Sequence, residues 1–85
     1  MAPSVLVEGC WKACSRTRQR FECDIYRTED GVLEVRLGYT AKGVAYTVVS
    51  QAVRDLSSGR LTAARWRSAL LTDGHFYELL TQSNN

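Results

Sequence analysis

The stretch FECDIYRTEDGVLEVRLGY, residues 21–39, decides the fold. Phe21, Cys23 and Ile25 alternate with Glu22, Asp24 and Tyr26. A period of two marks a strand with one buried face. Leu33, Val35, Leu37 and Tyr39 alternate in the same way with Glu34, Arg36 and Gly38. Glu29-Asp30-Gly31 lies between the two runs. A three-residue hairpin loop needs its last residue in the left-handed region, which glycine enters without a Cβ clash. If Thr28 pairs with Val32, Ile25 faces Val35, Cys23 faces Leu37 and Phe21 faces Tyr39. Every apolar residue then shares one face, and Asp24 falls opposite Arg36 as an opposite-charge pair. A two-residue Asp30-Gly31 turn would set Ile25 against Arg36, which excludes it.

A second hairpin follows. Ala41-Lys42-Gly43 also ends in glycine, and residues 44–50 are rich in β-branched side chains. A three-residue loop would turn Ala45, Thr47 and Val49 toward the core. A loop of two or four would turn Val44, Tyr46 and Val48 there. The second set is larger and more apolar, and on that ground it is the expected one.

Residues 4–15 carry two signals. Val5-Leu6-Val7 is β-branched and favours a strand. Val7, Cys10 or Trp11, and Cys14 instead recur at helical spacing, and Ser4 could cap such a helix. We take the strand, which makes a four-stranded sheet; a helix would give an α-β-β-β-α order. Farther on, residues 60–72 repeat at i, i+3 and i+7 through Ala63, Trp66 and Leu70, with Ala69 beside them and Leu61 and Leu71 flanking. Asp55, Ser57 and Ser58 are candidate N-caps, and Gly74 suits the position just past the helix end. The expected architecture is α+β: a small antiparallel meander of three to four strands, packed on one face by a C-terminal helix with Trp66 as its anchor. His75 to Leu80 reads as a closing strand or helical turn, with Phe76 and Leu79 or Leu80 at the core's edge.

The chain has 85 residues, is 45% hydrophobic and 24% charged, and carries a net charge of +2. That fits one small folded domain over residues 1–85, with 1–3 and 81–85 expected to fray. The basic excess is too slight by itself to argue for nucleic acid. No apolar run is long enough to span a bilayer, and the first residues lack a secretory signal's basic and apolar regions. Three cysteines suit reduced thiols and a cytoplasmic setting better than a disulfide scaffold.

No catalytic set emerges. Cys10, Cys14, Cys23 and His75 could form a zinc tetrahedron, but they lack a Cys-x-x-Cys pair. No metal or other cofactor is expected. A Cys–His nucleophile would have to use His75, with only Asp73 close in sequence. Glu22, Asp24 and Glu34 sit with Arg36 on a face that reads as solvated, and no phosphate-cradling glycine motif occurs. A non-enzymatic function is therefore expected: a stoichiometric protein-binding module, such as an accessory subunit, adaptor or inhibitor. Its candidate contacts are Trp11, Tyr26, Tyr46 and Tyr77, residue types enriched in binding hot spots. A free strand edge offers a second route, to a partner's strand or to a homodimer. The alternative is a nucleic-acid-binding accessory using Lys12, Arg16, Arg18 and Arg20, with help from Arg60, Arg65 and Arg67. The acids next to this comb favour a solvated surface with internal pairing.

Overall fold

A computed structural model describes residues 3–14 and 19–72. Among the described residues, four strands, β1 (Val5–Cys14), β2 (Arg20–Arg27), β3 (Leu33–Ala41) and β4 (Val44–Val53), are followed by one helix, α1 (Leu56–Leu71). The strands form one antiparallel sheet in the order β1-β2-β3-β4, and α1 lies across one face. Among the described residues no helix is long and apolar enough to cross a membrane.

The first hairpin adopts the register expected from parity. Cys23 pairs with Leu37, Asp24 with Arg36 and Ile25 with Val35. The Thr28 amide donates to the Val32 carbonyl at 2.9 Å, and Gly31 holds φ of 82°. Cys23, Ile25, Val35 and Leu37 are all fully buried. Phe21 meets Tyr39 edge-on, with ring centroids 6.0 Å apart.

Side chains depart from that register in one respect. Arg36 faces Asp24 across the ladder, yet its Nε donates to Glu34 Oε1 at 2.6 Å. Its Nη2 donates to Ser4 Oγ at 2.9 Å. Glu34 lies two residues away on the same face, so its carboxylate reaches the guanidinium along the strand.

β1 is a strand, and its mixed signal has a structural cause. The ladder with β2 slips between Leu6 and Glu8, and again between Gly9 and Trp11. Val7 and Cys10 are the extra residues of two β-bulges. Each bulge resets the alternation by one. Half-buried residues therefore fall at Val7 and Glu8, then at Cys10 and Trp11, about three apart, which imitates a helix.

The second hairpin closes through a two-residue Lys42-Gly43 turn with φ of 53° and 79°. This is the loop length that sends Tyr46 to the helix side, and its ring stacks on Tyr39 at 5.2 Å. The expected core set still needs correction. A bulge shifts the ladder so that Leu37 pairs with Val49 and Gly38 with Thr47, leaving Val48 as the extra residue. Val49 is buried, whereas Val44 and Tyr46 are about half exposed. The alternation restarts after the bulge, and the buried position passes from Val48 to Val49.

The helix begins at Leu56, earlier than the sequence repeat suggested. Asp55 is its N-cap, and its Oδ1 accepts the Ser58 amide at 2.7 Å. Gly59, Thr62, Ala63, Trp66, Ala69 and Leu70 form the buried stripe. Trp66 is 1% exposed and is the largest fully buried side chain among the described residues. A Cβ on Gly59 would lie 3.0 Å from Ile25 Cδ1, so the first helical turn sits close on the sheet. Gly74 and the segment from His75 to Leu80 lie outside the described residues.

Candidate functional site

Trp11 is taken up by the fold. Its Nε1 donates to the Ala63 carbonyl at 3.3 Å, and its ring packs against the core. The Arg67 guanidinium stands 6.0 Å above that ring. Three residues earlier on β1, Glu8 accepts from Arg60 Nε and Nη2 at 2.8 and 2.7 Å. This two-point pair lowers the carboxyl of Glu8 below its usual range. β1 and α1 are thus joined by an indole and an ion pair, and the half-buried Trp11 serves as a brace between them.

Tyr26 lies on the opposite, helix-free face. Arg36 sits 4.6 Å from its ring centroid, and burial raises its hydroxyl pKa, with the Asp24 charge adding to the effect. Asp24 is half-buried on the same face, and its pKa is raised first by desolvation and then by Glu22. A raised carboxyl opposes folding while it is charged, and that opposition fades as pH falls through the raised value. Asp24→Asn should therefore stabilise the protein at pH 7. The gain should shrink on acidification and vanish below the ordinary aspartate value of 3.8. Urea titrations at several pH values would show it; a gain that grows toward low pH would reverse the sign.

The basic comb is partly described. Lys12 Nζ lies 3.9 Å from Glu22 Oε2, and Arg20 is exposed at the start of β2. Arg16, Arg18 and Tyr77 fall outside the described residues. Of the helical arginines, Arg60 and Arg67 are directed to Glu8 and Trp11, while Arg65 is exposed.

The cysteines occupy three environments. Cys23 is fully buried opposite Leu37, Cys10 is intermediate and Cys14 is exposed. Burial pushes the Cys23 thiol far up, and Cys10 rises for the same leading reason. All three are free, and among the described residues no group of three His, Cys, Asp or Glu could hold a metal ion. His75 is outside those residues. Maleimide should label Cys14 rapidly in the native protein and Cys23 only as fast as the sheet opens. Equal labelling rates, read by mass spectrometry, would contradict this burial.

The most distinctive surface is the outer edge of β4. Among the described residues, β1 and β4 are the two edge strands. β1 is blunted by two bulges and carries Glu8 and Lys12. Natural edges are protected by such irregularities and charges. β4 has the sequence VAYTVVSQAV, ten residues with no charge and no proline. Its single bulge is the only one of those devices present. Residues 44–47 and 50–52 are exposed, so backbone groups facing away from β3 are reachable along most of the strand. Tyr46 and Val44 add an apolar rim at one end, 48% and 51% exposed. Composition could have revealed this edge, because residues 43–53 form the longest charge-free run between Lys42 and Arg54. Its position in the sheet required the strand order.

Comparison with protein-family models, with curated proteins and with solved structures finds no match.

Proposed function

We propose that the chain is a non-catalytic protein-binding module that receives a strand of another protein along β4. The observation that carries this reading is the contrast between the two edges: one irregular and charged, the other long, uncharged and exposed. Strand addition draws affinity from main-chain hydrogen bonds and specificity from alternate side chains. Here Val44 and Tyr46 would supply the specificity on the helix side, with Ala45, Thr47, Ser50 and Ala52 on the other. The absence of charge lowers the desolvation cost of closing such an interface. Three free thiols suit a reducing compartment such as the cytoplasm.

The test compares tagged wild type with the double variant Tyr46→Asp/Ala52→Asp in native extracts. Both positions are exposed, so circular dichroism should be unchanged. A protein retained by wild type and lost from the variant supports the reading. Equal retention by both, or a wild type that retains no other protein, overturns it.

A further inference from the structure

We infer that in the free protein the β4 edge is occupied by the β4 strand of a second copy, in an antiparallel pair about a two-fold axis. The inference rests on β4 being a docking edge and names what fills it before a partner arrives. It comes from the parity of the strand. Val44 and Tyr46 lie on the helix side, as do Val49, Gln51 and Val53, which pair with Leu37, Val35 and Leu33. Ala45, Thr47, Ser50 and Ala52 lie on the other side, opposite Thr40, Gly38, Arg36 and Glu34. The bulge shifts the alternation by one between the two halves.

An unbulged strand pairs with itself about a residue or about a midpoint, and side-chain faces match only when the axis passes through a residue. β4 inverts that rule. With the axis midway between Val48 and Val49, Val44 meets Val53 of the second copy, Ala45 meets Ala52, Tyr46 meets Gln51 and Thr47 meets Ser50. Each of these pairs shares a face. An axis through Val48 or Val49 would set helix-side residues of one half against outer residues of the other. The bulge that would disturb pairing with a regular strand is thus met at the axis by its own copy. This register also uses the full length of both strands.

Charge agrees with the same register. Nothing charged lies within the pair, so no like charges meet at the axis. Beyond its ends, Lys42 comes opposite Asp55 of the second copy, whereas an axis through Val48 would set Lys42 against Arg54. The result is an eight-stranded continuous sheet with both helices on one face and both polar faces together on the other. An incoming partner strand would have to displace the second copy.

Sedimentation equilibrium of the wild-type chain tests this first, with dimer as the expected species. Thr47→Glu/Ser50→Glu and Thr47→Lys/Ser50→Lys place like charges in facing positions, so each should weaken self-association roughly tenfold or more. Mixed together, the two variants should form a heterodimer. A wild type that stays monomeric at all concentrations overturns the inference and leaves the partner reading standing. A dimer unaffected by either variant, or variants that fail to recombine, also overturns it. Should the variants not fold, amide exchange on wild type decides: β4 protection must fall on dilution to monomer, and unchanged protection rejects the pairing.

Discussion

Trp66→Ala should unfold the protein or leave it unfolded in a large fraction of molecules at ambient temperature. The indole is 1% exposed and lies in the buried stripe of α1 against the sheet. Truncating a buried tryptophan costs about 3–5 kcal/mol, from lost transfer energy and from the cavity left behind. A domain of this size has a total stability of the same order. Several buried neighbours cannot collapse into the space, because Ile25, Val35 and Leu37 are pinned in the ladder. Trp66→Phe keeps most of the volume and should cost distinctly less. Urea denaturation followed by circular dichroism measures both. An alanine variant that melts within a few degrees of wild type would mean the helix–sheet contact does not carry the core.

Gly38→Ala should be the most damaging single-methyl change in the sheet. Gly38 does not need a left-handed backbone; the requirement is space. A Cβ there would run into the Tyr46 carbonyl oxygen and lie 3.1 Å from its carbonyl carbon and 3.3 Å from Thr47 Cα. All three obstacles are main chain, so no rotamer change relieves them. Overpacking of this kind typically costs about 1–3 kcal/mol. Here it should also separate β4 from β3, because the obstacles are the β4 main chain beside the register shift. Hydrogen exchange should show lost protection in β4 beyond that in β2. Gly31→Ala makes a useful comparison, since its Cβ would meet nothing and the cost would come only from φ of 82°. If the two variants lose equal stability and β4 keeps its protection, the close approach at Gly38 is not the cause.

These two sites also mark the boundary of what the sequence disclosed. The register from Phe21 to Tyr39 followed from parity, because a slip of one residue would have turned Ile25 to solvent. Trp66 stood out from its spacing with Ala63 and Leu70, while Asp55 was one of three residues with capping chemistry. The bulges were hidden. An extra residue has no chemical mark when its neighbours, as in Thr47-Val48-Val49, all favour strand. It shows only against a partner strand, as Gly38 does against Thr47. The bracing role of Trp11 was hidden for a related reason. Its hydrogen bond to Ala63 and the neighbouring Glu8–Arg60 pair each span 52 positions, and no local pattern encodes them. The sequence pointed to a free strand edge without saying which strand supplies it. Which strands are outermost depends on pairing order, not composition.

The brace between Trp11 and Ala63 bears on the order in which the chain assembles. The two hairpins within β2–β4 close over short loops and can form early. β1 emerges first from synthesis, yet the helix that clasps it emerges after all four strands. Its final docking must await that late arrival. Trp11→Phe should hence accelerate unfolding while leaving the refolding rate nearly unchanged. Slowed refolding would instead place the clasp in the rate-limiting step.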